Sequence, residues 1–219
     1  MVLMIAGFSA VLIVFLLLVI SERIQKIERL NAEVTRKFIH ITVGSFVASW
    51  PFFMPNWVIY TICIAFIIVI VATRIGGFLP SVHKVPRKTW GDILFPVGIA
   101  FTLLIARDSW IFAACILHLS LADGFAALVG EKYGKKNAYR ILGYKKTLAG
   151  NAAFFAISLL ITVWLVYLAP AGFAQLGISA LWMIPLLATT LESVAVRGTD
   201  NIIVPVILAL MLNSLQFLG

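Results

Sequence analysis

An aspartate set inside an apolar run is the first residue here that could do chemistry. In LADGFAALVGEKYGKK, residues 121–136, Asp123 falls about two helical turns before the chain breaks into lysines. Burying a carboxylate in a bilayer is expensive, so an acid at that depth is a candidate functional group. Ala127 and Gly130 fall at i+4 and i+7 on its helix face, which leaves the surface beside it narrow. Such a face could admit a metal-bound polyphosphate, with Asp123 as a Mg²⁺ ligand. The competing account makes Ala122, Ala126 and Gly130 a packing seam of small residues, with Asp123 paired to a basic side chain. Glu192 and Asp200, in ESVAVRGTDNIIVP, are further oxygen ligands that could complete a hard-cation site.

Basic groups stand at the same depth. In RKFIHITVG, Arg36 and His40 are i and i+4 on one helix face, with Lys37 three residues before His40. Snorkelling accounts for Arg36 and Lys37 but not for His40, which could bind phosphate or take a proton from a hydroxyl. HKVPRKTWGDILFP adds Arg87, Lys88 and Asp92. The stretch GEKYGKKNAYRILGYKKT contains Lys135 and ends in Lys145-Lys146-Thr147, flanked by Gly143 and Gly150. Glycines let a backbone approach phosphate closely and lysines supply charge; a solvated, orientation-setting loop is the other account. Neither GxxxxGK[ST] nor GxGxxG occurs, so a nucleotide bound here sits outside the common soluble frameworks.

The elements that must position these residues are membrane helices. Apolar residues make up 62% of 219 and charged ones 12%, against about 45–50% and about 25% in a soluble domain. We therefore expect a single integral-membrane domain over residues 1–219. Apolar runs of spanning length fall at 2–20, 38–54, 57–73, 92–106, 109–130, 148–169, 176–191 and 201–218. That predicts an all-α polytopic bundle of about eight spans. Residues 1–37 are expected to form the first span plus an amphipathic helix on the cytoplasmic surface, and 38–219 the catalytic bundle. Pro51 and Pro55 mark a tight turn. Cys63 and Cys115 read as core residues.

Charge fixes the expected orientation. Of 17 Lys and Arg, all but Arg107 fall in segments 21–37, 74–91, 131–147 and 192–200. The positive-inside rule makes these cytoplasmic and puts both termini outside. Nearly all acids lie near the same face; Asp108 is the exception, next to Arg107 as a candidate partner. A transmembrane ion path would need polar groups near the midplane, so a transporter or scramblase is disfavoured. A site where a charged soluble substrate meets a lipid suits the pattern, and the net charge of +8 favours an anionic partner or anionic lipid.

The ordered set RKFIH, PRKTWGDILFP, LADGFAALVGEKYGK, YKKTLAG and E-x7-DN before a proline resembles the polyprenol kinase family, which includes phytol kinase, dolichol kinase and CTP-dependent diacylglycerol kinase. It resembles CDP-diacylglycerol synthase more distantly. The match covers about residues 36–205. It implies Mg²⁺-dependent transfer of the γ-phosphoryl of CTP to a lipid alcohol. The residues carried over are Arg36, Lys37, His40, Asp123, Gly130, Lys145 and Lys146. Ala149, Asn151 and Asp92 depart from the residues usual at their positions. The nearest rival activity is a cytidylyltransferase forming a CDP-lipid. The expected partners are CTP, a lipid alcohol and membrane lipids, with no nucleic acid, and a homodimer stays open.

Overall fold

The computed structural model describes residues 2–28, 32–76, 90–169, 173 and 176–218. Its helices are α1 (Val2–Glu28), α2 (Ala32–Ala48), α3 (Asn56–Gly76), α4 (Gly91–Ile105), α5 (Ser109–Leu117), α6 (Asp123–Tyr133), α7 (Leu148–Leu168), α8 (Gly177–Val194) and α9 (Asp200–Leu218). A single π-turn, His118–Ala122, joins α5 to α6 in one rod. The helices follow the apolar runs because each run lets the backbone satisfy its own hydrogen bonds. Breaks fall where that fails. Trp50–Phe52 makes a 3₁₀ turn with proline at its start, and Asp108 caps α5 by accepting from Trp110 N and Ile111 N at 2.8 and 2.9 Å.

Side-chain bonds identify two ends of the bundle. At one, Gln216 donates to Asp108 at 2.9 Å, the Arg107 amide to Asn213 at 3.1 Å, and Ser109 to the Pro51 carbonyl at 3.2 Å. At the other, the Trp90 amide donates to the Arg197 carbonyl at 3.1 Å and Lys146 reaches Glu192. The α5–α6 rod is central. One apolar cluster joins its Ile111 to Phe154, Leu165, Ile184 and Leu208, and a second joins its Phe112 and Ile116 to Trp50 and Ile59. By length and composition, Asn56–Thr73, Ser109–Asn137, Leu148–Leu168 and Gly177–Val194 could each cross a membrane; the second is 72% buried and the others 22–33%. The rod is thus shielded by its neighbours. Phe8, Trp57, Ile64, Leu160 and Trp182 point outward, as lipid-facing residues do in an integral membrane protein.

Two expectations change. Residues 21–28 continue α1 without a break, and 32–37 open α2. No Gly or Pro interrupts SERIQKIE, so the first helix runs on beyond its apolar part. The bundle also carries a small sheet within the basic 131–147 segment. Strands β1 (Ala138–Ile141) and β2 (Tyr144–Thr147) pair antiparallel, with Tyr139 opposite Lys146 and Arg140 opposite Lys145. Leu142 (φ +50) and Gly143 (φ +83) form the two-residue turn. Positive φ at both positions matches the twist of the strands.

Candidate functional site

The site forms where α2 crosses the π-turn and α6. The approach is close enough to require glycine from both sides. A Cβ on Gly44 would collide with Ser120 Cβ, and one on Gly124 with the Ile41 side chain. This contact carries the polar end of α2 onto Asp123. Lys37 Nζ lies 2.6 Å from Asp123 Oδ2, both side chains only 9% exposed, and His40 Nε2 lies 3.4 Å from the same oxygen.

The π-turn explains how His40 is held. Its extra residue sends the Asp123 amide to the carbonyls of His118 and Ser120, bypassing Leu119, the acceptor a regular α-helix would use. His40 Nε2 takes that oxygen at 2.9 Å. A carbonyl only accepts, so Nε2 carries the hydrogen and Nδ1 of the neutral ring is left as an acceptor. The Phe95 ring, with its centroid 4.8 Å away, packs beside the imidazole.

A second ion pair comes from the hairpin. Lys146 Nζ donates to Glu192 Oε1 at 2.6 Å and to the Glu192 carbonyl at 2.7 Å. Burial pulls the Lys146 pKa down, but the Glu192 carboxylate outweighs it and holds the group above its ordinary value. Asp200, at the start of α9, interacts electrostatically with Asp123, Lys37 and Lys146. Arg36 is gripped by Glu33 in a two-pronged bond at 2.6 and 3.2 Å. Burial disfavours the Arg36 cation, yet Glu33, with Asp123 and Asp200 further off, keeps its pKa raised.

Asp123, Glu192, Asp200, Lys37, Lys146, His40 and Arg36 therefore belong to one cluster at one end of the bundle. The other candidates are placed differently. Alternation along β2 turns Lys145 to the face opposite Lys146, where it is exposed, and Lys135 is exposed on the preceding turn. Thr147 caps α7 by accepting from the Gly150 amide at 3.0 Å. A Cβ on Gly130 would sit 2.7 Å from Thr147 Oγ1, and one on Gly150 2.9 Å from the Ala126 carbonyl. These three thus have a packing reason to be small or hydroxylated; of them, Gly130 belongs to the small-residue seam. Arg87 and Lys88 lie outside the described residues.

Carboxylate oxygens suit Mg²⁺, and Asn201, beside Asp200, leaves Oδ1 buried without a partner. The donor types therefore fit a hard cation. The donors do not form a ready cage: among the described residues, no three His, Cys, Asp or Glu stand together as metal ligands. Sequence reasoning passed over His118, Gly44 and the freed Leu119 carbonyl. His118 is fully buried, donates Nδ1 to the Ala114 carbonyl at 2.7 Å and leaves Nε2 without a partner. The polar residues of HLSLAD in an apolar span were the available signal.

Comparison with known proteins agrees with the family resemblance. The chain is 30% identical to a phytol kinase of Synechocystis sp. over 195 residues, covering 84% of this chain and 80% of that one. It is 28% identical to a probable chloroplastic phytol kinase 2 of Glycine max, covering 80% of this chain and 63% of the relative. A probable chloroplastic phytol kinase of Triticum aestivum is 30% identical, with 84% and 67% covered. No family model matches, and no solved structure matches. A buried acid in a π-kinked rod, met by the RKFIH helix and the YKKT hairpin, thus lies in a chain that belongs to the phytol kinase family.

Proposed function

We propose that this membrane kinase transfers the γ-phosphoryl of CTP to a lipid alcohol of phytol or polyprenol type, with Mg²⁺, at the cytoplasmic face of a bundle that crosses the bilayer about eight times with both termini outside. The observation that carries this reading is the convergence on Asp123. An acid deep in an apolar rod is met by Lys37 and His40 at 2.6 and 3.4 Å, with Lys146, Glu192 and Asp200 in electrostatic range.

Phosphoryl transfer asks the protein mainly for positioning and positive charge. Lys37 and Lys146 neutralise the transferred and β phosphates, and Arg36, held in direction by Glu33, orients the γ-phosphoryl. Lys145 and Lys135, exposed beyond the hairpin, attract the nucleotide. When bound, Mg²⁺ supplies charge neutralisation, and Asp123 with Asp200 or Glu192 would hold it. The lipid tail stays among the outward apolar side chains and offers its hydroxyl at the interface. His40 Nδ1, open because Nε2 is committed to Leu119, accepts the hydroxyl proton as the oxygen attacks the γ phosphorus, and the bond to the β-phosphate oxygen breaks to release CDP.

The test uses purified, reconstituted protein, a panel of lipid alcohols, and CTP or ATP labelled at the γ or α phosphate. The expected product carries γ label from CTP. Label from the α position would instead identify a cytidylyltransferase, and γ transfer from ATP alone would overturn the CTP assignment.

A further inference from the structure

Two candidate metal ligands each hold a lysine. Lys37 sits on Asp123 and Lys146 on Glu192, both at 2.6 Å and both largely buried. Neither cation is a rigid fixture: lysine is a point charge on a flexible four-carbon stem, whereas arginine binds as a planar fork. The fork in this cluster, Arg36, is bonded to Glu33, a residue outside the candidate ligand set. The movable cations are thus the ones on the carboxylates a divalent ion would need.

We propose that Lys37 and Lys146 are exchangeable counter-ions, each neutralising a carboxylate in the resting protein and turning to the nucleotide's phosphates when a divalent cation takes its place. This rests on the phosphoryl-transfer reading above. The charge balance supports it. Asp123, Glu192 and Asp200 contribute −3 and the two lysines +2, leaving −1 in a site closed to water on most sides. A bare divalent cation must push both ammonium groups away from the carboxylates they bond, leaving +1 with nothing to receive them. A triphosphate supplies that receiver. It gains two lysines as they leave the carboxylates, and the carboxylates gain the cation. Cation and nucleotide should therefore bind cooperatively, each weakly alone.

The experiment measures binding on the full chain in detergent or nanodiscs. Mn²⁺ alone is followed by paramagnetic resonance and CTP, with and without Mn²⁺, by calorimetry. Lys37→Met is expected to bind bare Mn²⁺ roughly tenfold more tightly and Mn²⁺·CTP roughly tenfold more weakly, within the usual range of coupling between sites. Lys146→Met should shift both in the same senses, and it carries the test if Lys37→Met does not fold. Mn²⁺ should also raise the melting temperature of either variant more than that of the wild type. Affinities for Mn²⁺ and for Mn²⁺·CTP that fall together, or do not move, would overturn the exchange while leaving the kinase reading intact. A wild-type protein that binds neither Mn²⁺ nor CTP would overturn both.

Discussion

Gly124→Ala is a one-carbon test of how the site is held. The added Cβ would overlap Ile41 Cγ1 and come within 2.7 Å of Ile41 Cδ1. Carbon atoms prefer about 3.5–4.0 Å, so α2 must retreat by about 1 Å at Ile41. His40 is the adjacent residue and Lys37 lies one turn before it, so both move with the helix. Their contacts with Asp123, now 2.6 and 3.4 Å, then pass beyond hydrogen-bond range. In an unconstrained helix the substitution would gain roughly 0.5–1 kcal/mol from lost backbone freedom. Overpacking costs about 1–3 kcal/mol, so the net sign is destabilising. A 1 Å misplacement of positioning groups costs about a hundredfold in rate. The assay is lipid kinase turnover beside thermal melting, for Gly124→Ala, Ile41→Ala and the double variant. Ile41→Ala removes both colliding atoms, so the double variant should recover most of the activity that Gly124→Ala loses. Wild-type turnover in Gly124→Ala, or a double variant no better than that single one, would refute this account of how Lys37 and His40 are aimed.

Asp123→Asn should insert and fold yet lose at least about a hundredfold in turnover, the scale on which one charge-stabilising group acts in a transition state; near wild-type activity would remove Asp123 from the chemistry. Thr147→Val should cost about 1 kcal/mol through loss of the α7 cap, while Thr147→Ser keeps it. If Thr147→Val raises the KM for CTP while Thr147→Ser leaves it at the wild-type value, the hydroxyl has a phosphate role beyond capping. The Lys146 pKa is raised on folding, so its stabilising contribution is fully present below the ordinary lysine value and is lost as pH rises through the folded one. The melting difference between wild type and Lys146→Met should therefore hold steady in its Lys146 part at neutral and mildly basic pH, and shrink only at strongly alkaline pH.

Much of the helix order was legible because membrane helices announce themselves by apolar length, and the Asp123, Glu192, Asp200, Lys37 and His40 set because each interrupts such a run or stands at its edge. The hairpin was not. AYRI and YKKT are four residues each, and Leu142 at φ +50 gives no warning of a turn that favours Asn or Gly. Without the hairpin, Lys145 and Lys146 read as one dibasic pair; pairing with β1 sends them to opposite faces. Gly150 suggested phosphate because glycine permits close backbone approach, and in the structure the groups that approach it are the Ala126 carbonyl and Thr147 Oγ1. The α2 crossing was hidden because a glycine's neighbour across the bundle leaves no mark in local sequence.

The π-turn has one more consequence. An α-helix advances about 100° per residue, so deleting one residue between Leu117 and Asp123 would rotate α5 relative to α6 by roughly that angle. The residues that α5 buries in the bundle interior and the face that α6 shows to α2 would no longer be in phase. The five-residue π-turn thus acts as an indexing joint. It sets the angular phase of the chemistry-bearing half of the rod independently of the half embedded in the core, so substitutions can re-pack 109–117 without turning Asp123 away from Lys37.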